Sequence, residues 1–109
     1  MMAENTFKVA IVEDDKSYQP IIESYLSEAS DMLQCSFYID GKQFLAGSEK
    51  FDLVILDIDL PDIDGITISK QIVSRTRYII FLTSMEDRMQ DAFGQNVIGY
   101  IFKSSSTAS

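Results

Sequence analysis

Four hydrophobic segments of this chain each end at a polar or charged side chain, and this arrangement strongly limits the fold. The first segment ends at Glu13-Asp14, and the others end at Asp57, Thr83 and Lys103. In an open parallel sheet the carboxyl ends of the strands meet at one edge, where ligand sites form. If the four segments are strands of such a sheet, carboxylates, a hydroxyl and an ammonium gather at that edge. Such a group suits a divalent cation and a phosphoryl group.

Helical and strand patterns alternate along the chain, which predicts five strands and four helices. Repeated β-α units favour right-handed crossovers and a parallel sheet with helices on both faces. The predicted fold class is therefore α/β, a doubly wound five-stranded parallel sheet. The predicted strands are residues 7–12, 33–39, 53–56, 78–82 and 98–102, and helices are predicted up to Ala29, around Phe44 and Leu45, and over 66–75 and 86–93.

Side-chain patterns also predict how these elements pack. Asp15 or Ser17 can cap the first helix, and Pro20 fits its first turn. The second strand alternates, which is typical of a half-exposed strand at a sheet edge. The third and fourth strands are apolar throughout and are expected to be covered on both faces. The side chains expected to face inward are Ile21, Ile22, Tyr25, Leu26 and Ala29 on the first helix, Cys35, Phe37 and Ile39 on the second strand, and Ile68, Ile72 and Val73 on the third helix.

Composition limits the classes of function. A chain of 109 residues is enough for one domain, and its net charge of −8 should repel nucleic acid phosphates. The single cysteine, Cys35, excludes an internal disulfide and reads as a small buried hydrophobe, and the absence of histidine excludes histidine catalysis. No segment has a signal-peptide pattern or membrane-spanning length, so a cytoplasmic location without membrane contact is the default expectation.

The polar groups after the strands suggest phosphoryl chemistry that uses Mg²⁺. Mg²⁺ prefers oxygen ligands, and Glu13, Asp14 and Asp57 can supply them from adjacent strand ends. A carboxylate next to a cation can act as a nucleophile, which makes Asp57 the candidate phosphoryl acceptor. The Thr83 hydroxyl and the Lys103 ammonium can then contact the phosphoryl oxygens. Singly, each of these residues is also typical of a helix cap or a solvated loop.

Over residues 7–103 the chain resembles the receiver domain of two-component response regulators. The matching segments are VAIVEDD, LVILDIDLPDIDG, IIFLTS and GYIFK, in this order. The resemblance implies a flavodoxin-like fold with strand order 2-1-3-4-5. It implies that Asp57 accepts the phosphoryl group and that Glu13 and Asp14 bind Mg²⁺ together with Asp57 and the Asp59 backbone carbonyl. Thr83 and Lys103 would sense the phosphoryl group.

Further implications of the resemblance concern signalling. Tyr100 corresponds to an aromatic residue that swings inward when the threonine engages the phosphoryl group. The implied partner is a sensor histidine kinase, and the implied outcome is a changed surface around the fourth helix and fifth strand that controls an output domain. The segment AFGQNVIGYIFK is more similar to regulators with LytTR-type DNA-binding domains than to chemotaxis-type single domains.

Three features depart from the family pattern. Ser104 stands where a proline usually follows the lysine, and a cis bond before a non-proline residue costs about 2.5–4 kcal/mol. Asp59 adds a carboxylate that can affect the phosphoryl lifetime. No fifth helix follows residues 1–103, the predicted receiver domain, because residues 104–109 form a polar tail. We therefore expect exposed apolar surface on the first helix and last strand, and either a truncated chain or one that self-associates or exchanges elements between copies.

Two other functions remain open from the sequence. The first is a receiver-like binding module that is not phosphorylated, against which the complete set of Asp14, Asp57, Thr83 and Lys103 argues. The second is an aspartate-nucleophile phosphatase, since Asp57-Ile58-Asp59 resembles the motif of haloacid-dehalogenase-type enzymes. Pro61 stands where that motif needs threonine or valine. A flavodoxin-like FMN site is a remote third reading, because Glu13-Asp14-Asp15 would repel a phosphate after the first strand.

Overall fold

The computed structural model describes residues 6–84 and 92–103, which form a five-stranded parallel sheet in the order β2-β1-β3-β4-β5. This result confirms the predicted fold class and strand order. Eight elements follow one another along the described chain. They are β1 (Phe7–Val12), α1 (Gln19–Ala29), β2 (Leu33–Tyr38), α2 (Gly41–Ala46), β3 (Phe51–Asp57), α3 (Gly65–Gln71), β4 (Thr76–Thr83) and β5 (Val97–Phe102).

The register of the sheet aligns the carboxyl ends of four strands. Val12 lies opposite Leu56 across β1 and β3, and Asp57 lies opposite Leu82 across β3 and β4. On the next pair, Thr83 lies opposite Phe102. Since these pairs are the last or next-to-last in their strands, the residues that follow emerge at one edge. The sheet therefore brings together the polar groups that end the four apolar segments.

The two faces of the sheet are covered differently. One face packs against α2 and α3, where Phe44, Ile68 and Ile72 are fully buried. The opposite face packs against α1, which contributes one buried residue, Ile22. We call these the α2/α3 face and the α1 face. Most buried side chains of the described residues belong to the α2/α3 face.

The prediction for the first helix was only partly right. Ile22 and Leu26 pack inward, but Ile21 is 47% exposed, Tyr25 is 69% exposed and Ala29 is exposed as well. The helix begins after Tyr18 without a side-chain cap, so neither Asp15 nor Ser17 is the cap. Asp15 instead accepts hydrogen bonds from the backbone N–H and hydroxyl of Ser17, which forms the turn before the helix.

A groove of about 410 Å³ lies between α1 and β5 on the α1 face. Ile21 and Tyr25 line it from the helix, and Ile101 and Phe102, which are 44% and 49% exposed, line it from the strand. This confirms the expected exposure of apolar surface on the first helix and last strand. We call this surface the α1–β5 groove.

Smaller differences concern element ends. The third helix ends at Gln71 rather than near residue 75, because the chain turns at Ile72 and β4 begins at Thr76. Ile72 is nevertheless buried and Val73 is partly buried, as predicted. On β2, Cys35 and Phe37 share the α1 face at the sheet edge as predicted, but Ile39 lies beyond the strand and is exposed. Tyr78 is also exposed, on a strand predicted to be covered.

Some predictions fall outside the described residues. Of the predicted helix at 86–93, only Ala92 and Phe93 are described, and the tail at 104–109 and the Lys103–Ser104 bond are not. Within residues 6–84 and 92–103, no helix has the length and apolar character needed to cross a membrane.

Candidate functional site

Three carboxylates meet at the carboxyl edge of the sheet. Glu13 and Asp14 follow β1, Asp57 ends β3, and one ligand oxygen from each lies within 4.8 Å of the others. Glu13 and Asp57 are buried, whereas Asp14 is exposed. Close carboxylates repel one another and lose hydration on burial, so this arrangement favours a bound cation. Oxygen donors with one solvent-facing side fit Mg²⁺, which keeps several waters.

Lys103 closes the site from β5. Its Nζ lies 2.8 Å from Glu13 Oε1 and 3.2 Å from Asp57 Oδ2. The backbone N–H of Lys103 donates to the Thr83 carbonyl at 2.7 Å, which fixes the end of β5 beside the end of β4. The structure therefore brings Glu13, Asp14, Asp57 and Lys103 together as the strand-end pattern predicted.

Burial and the contacts with Lys103 together set the pKa values of these groups. Burial raises the pKa of Glu13 to about 7, although Lys103 and the Asp15 N–H act to lower it. Burial also raises the pKa of Asp57, against the opposing charge of Lys103. For Lys103, burial acts to lower the pKa, but its contacts with Glu13 and Asp57 outweigh this and raise it. A cation at the site would favour the ionised form of both carboxyl groups.

The loop after β3 holds the Asp57 side chain from its own backbone. The Asp59 N–H donates to Asp57 Oδ1 at 3.0 Å, and the Gly65 N–H donates to the Ile58 carbonyl at 2.8 Å. A Cβ atom at Gly65 would lie 2.1 Å from the Asp57 carbonyl oxygen. Only glycine permits this approach, so Gly65 is a site-forming residue. An Asp-Gly pair such as Asp64-Gly65 is typical of a turn, but the sequence carries no sign of this close approach.

The remaining predicted residues, Thr83, Asp59 and Tyr100, differ in their position and contacts. Thr83 is buried at the end of β4, next to Asp57 in the sheet order. Asp59 is exposed, and its carboxylate does not belong to the cluster formed by the described acidic residues. The Tyr100 ring stacks on Phe81 with centroids 6.1 Å apart, and its hydroxyl donates to the Ala92 carbonyl.

One neighbour of the site had no sequence signal. The Tyr18 ring, just before α1, has its centroid 5.1 Å from Lys103 Nζ. An ammonium near an aromatic face gains about 0.5–1 kcal/mol at a partly exposed site. Tyr18 therefore helps hold the ammonium toward the carboxylates.

The arrangement combines a buried nucleophile, a cation site and a fixed ammonium. Asp57 can attack an electrophilic centre, and Lys103 is placed to neutralise negative charge that develops on the attacked group. A phosphoryl group needs this kind of positioning and charge stabilisation more than proton transfer. The site therefore suits transfer of a phosphoryl group to Asp57.

The comparisons with known proteins agree with this geometry. GltR, a transcriptional regulatory protein of Pseudomonas aeruginosa, is 34% identical over 85% of this chain and 40% of its own. MrkE of Klebsiella pneumoniae is 28% identical over 94% of this chain. The crystal structure of its response regulatory domain superposes on this chain with a TM-score of 0.79, and 87% of that domain is covered. The chain spans about 40% of the length of these curated relatives.

A further solved structure shares the fold at a similar level. The BeF3-activated receiver domain of DrrB, a Thermotoga maritima protein, is 27% identical, with a TM-score of 0.77 over 90% of this chain and 85% of that domain. The family model for the response regulator receiver domain matches residues 9–109. This chain therefore belongs to the response regulator receiver domain family.

Proposed function

We propose that this chain is a phosphoacceptor switch in which Asp57 takes a phosphoryl group from a sensor histidine kinase. The observation that carries the proposal is the joint position of Glu13, Asp14 and Asp57 within 4.8 Å, with Lys103 Nζ 3.2 Å from Asp57. No histidine is present in the chain to act as an internal donor. A phosphohistidine on another protein supplies the phosphoryl group.

The transfer is a displacement at phosphorus. An Asp57 carboxylate oxygen forms the new O–P bond, while the P–N bond to the donor imidazole breaks and its electron pair returns to that nitrogen. Lys103 moves its ion pair from Asp57 Oδ2 toward the phosphoryl oxygens, because the bridging oxygen of the acyl phosphate carries less charge than a carboxylate oxygen. The Asp59 N–H stays on Asp57 Oδ1 and keeps the carboxylate oriented.

Mg²⁺ fits the oxygen donors of Glu13, Asp14 and Asp57, with the Asp59 backbone carbonyl as a proposed fourth ligand. When bound, the cation neutralises charge on the phosphoryl oxygens and lets two acids stay ionised beside an anionic substrate. Burial of Glu13 and Asp57 makes this compensation necessary, because uncompensated buried carboxylates are costly.

The response is proposed to leave the site through Thr83 and Tyr100. Thr83 ends β4 beside the acceptor, and Tyr100 on β5 packs on Phe81 of the same strand β4. Engagement of the Thr83 hydroxyl by the phosphoryl group would shift Tyr100 and change the surface around β5. We assign residues 1–103 to this switch unit in the cytoplasm and expect it to control an output domain, as the transcriptional role in the name of GltR suggests.

Labelling with acetyl phosphate and Mg²⁺ tests the proposal. The wild-type chain should gain an acid-stable, hydroxylamine-labile phosphoryl group, and Asp57→Asn should gain none. Asp31→Asn, which alters an exposed carboxylate outside the site, serves as the matched control and should label like wild type. Unlabelled wild type, or undiminished labelling of Asp57→Asn, contradicts the proposal. Turnover of p-nitrophenyl phosphate would instead support a phosphatase.

A further inference from the structure

An exposed aspartate in the loop after β3 binds the start of a different helix. Asp62 Oδ1 accepts a hydrogen bond from the Gly41 N–H at 2.9 Å, and Oδ2 accepts one from the Lys42 N–H at 2.8 Å. Asp62 Oδ1 also accepts from the Ile63 N–H at 2.9 Å. The first two bonds cross about 20 residues of sequence, so they join two separate parts of the fold.

These bonds complete the N-terminus of α2. Asp40, the ordinary cap, accepts from the Gln43 N–H at 2.7 Å, and Asp62 takes the two preceding N–H groups. Helix N-termini leave their first N–H groups without partners inside the helix, and carboxylates there are favoured by the helix dipole. Desolvation acts to raise the pKa of Asp62, but the hydrogen bonds from the Gly41, Lys42 and Ile63 N–H groups together outweigh it and hold the pKa below its ordinary value.

The same junction is closely packed. A Cβ atom at Gly41 would lie 2.7 Å from Ile68 Cδ1 on α3, 3.2 Å from Ile63 Cβ and 3.3 Å from Asp62 Oδ1. Helix α2 therefore approaches both the loop and α3 without room for a side chain at its first residue. The contact made by Asp62 is part of a fixed joint rather than an isolated surface hydrogen bond.

The joint lies in the loop that shapes the acceptor site. Residues 58–64 start at the acceptor and end at Gly65, whose N–H returns to the Ile58 carbonyl. Between these ends, Asp62 ties the loop to α2, and the Asp59 N–H holds Asp57 Oδ1. A loop fixed at both ends and in its middle keeps the Asp59 backbone in one orientation.

We propose that Asp62 is a positioning residue that ties loop 58–64 to α2 and thereby sets the geometry of the cation and phosphoryl site around Asp57. The inference rests on the proposed function, since the loop matters for phosphorylation only if Asp57 is the acceptor. Loss of the tie should let the Asp59 backbone move away from Asp57 and weaken metal binding. Mutation of residues that orient metal ligands through hydrogen bonds typically lowers metal affinity by about 10–100-fold.

The test compares Asp62→Ala with Asp40→Ala. Both remove a carboxylate from the start of α2, but Asp40 belongs to the helix side and does not hold the loop. Both variants should lose similar stability in urea. Only Asp62→Ala should raise the Mg²⁺ dissociation constant, by about tenfold, and slow labelling by acetyl phosphate. Asp62→Asn, which keeps one acceptor oxygen, should fall between Asp62→Ala and wild type.

Amide exchange provides a readout that does not depend on labelling. In Asp62→Ala, the Gly41 and Lys42 amides and the Asp59 amide should all exchange faster, whereas Asp40→Ala should affect Gln43 and leave Asp59 unchanged. If Asp62→Ala binds Mg²⁺ and protects the Asp59 amide as well as wild type does, while wild type labels normally, the role of Asp62 is overturned and the proposed function stands. Wild type that neither binds Mg²⁺ nor labels would overturn the proposed function, and this inference with it.

Discussion

The two faces of the sheet differ in how completely they are covered. On the α2/α3 face, Phe44, Ile68 and Ile72 are fully buried against the strands. On the α1 face, the described residues leave the α1–β5 groove open, with Tyr25 and Phe102 exposed. Among the described residues, the α2/α3 face of the sheet is therefore more completely covered than the α1 face.

The site stands across this difference. Loop 58–64, which orients Asp57, is joined to α2 and α3 on the covered face through Asp62 and Gly41. Lys103 follows β5, an edge strand whose Ile101 and Phe102 are exposed. The part of the site around Asp57, which we call the acceptor half, is therefore supported by a covered core, whereas the Lys103 ammonium depends on a less covered strand. The proposed function requires Lys103 to stay close to Asp57.

The largest expected difference is in the free energy of unfolding when one aromatic side chain is removed from each face. Phe44→Ala on the α2/α3 face should destabilise the chain by about 3–5 kcal/mol, because it leaves a cavity among buried residues. Tyr25→Ala on the α1 face should change stability by less than about 1 kcal/mol, since its side chain is mostly exposed. Urea denaturation measures both. Equal losses would remove the distinction between the faces.

Adding a methyl group at two glycines tests the loop support. Gly65→Ala should destabilise by about 3 kcal/mol and disturb labelling, because its Cβ would overlap the Asp57 carbonyl oxygen. Gly47→Ala is the matched control: its nearest neighbours are 3.7 and 3.8 Å away and its φ is −88°, so it should be within about 0.5 kcal/mol of wild type. A fully stable, labelling-competent Gly65→Ala would contradict the described loop.

Acidity should act on the acceptor half of the site. The folded-state pKa of Glu13 is about 7, above its ordinary 4.5, so this group favours folding at pH values below 4.5 and loses that contribution as pH rises toward 7. Mg²⁺ needs the ionised carboxylate, so its affinity should rise as pH increases from 6 to 8. Titration of Mg²⁺ across this range measures it, and Glu13→Gln should bind weakly with a flatter profile. A pH-independent affinity in wild type would contradict the assignment of Glu13.

The partly covered α1 face should also favour weak self-association. The α1–β5 groove exposes Ile21 and Ile101, and apolar surface of this kind favours contact between copies. Sedimentation velocity should show association that grows with protein concentration, and Ile21→Lys with Tyr25→Lys should reduce it. A concentration-independent wild-type monomer would count against this expectation.

Local patterns predicted a parallel α/β sheet and the cluster at its edge, whereas the strand order followed from the resemblance to receiver domains. Apolar segments define strands, and parallel strands place Asp57 and Lys103 at one edge of the sheet independently of the loop conformations. Contacts between distant segments left no such pattern. The bonds from Gly41 and Lys42 to Asp62 and the approach of Gly65 to the Asp57 carbonyl depend on how loop and helix meet in space.

The error on α1 has the same origin. Helical spacing correctly groups Ile21, Ile22 and Tyr25 toward one side, but it does not say how much of that side another element covers. Only Ile22 of these three is buried. Likewise, Asp15 has the residue type of a helix cap, yet the turn at Ser17 places Tyr18 at the N-cap position and the first helical residue at Gln19. Periodicity gives a direction, and packing decides burial.

The most direct test of the account is to locate the phosphoryl group. After reaction with acetyl phosphate and Mg²⁺, borohydride reduces an aspartyl phosphate to homoserine, which peptide mass spectrometry can assign to one position. The account predicts homoserine at position 57 and at no other acidic residue, and none when Mg²⁺ is chelated. Homoserine at Asp14 or Asp59, or no reduction product at all, would contradict Asp57 as the acceptor.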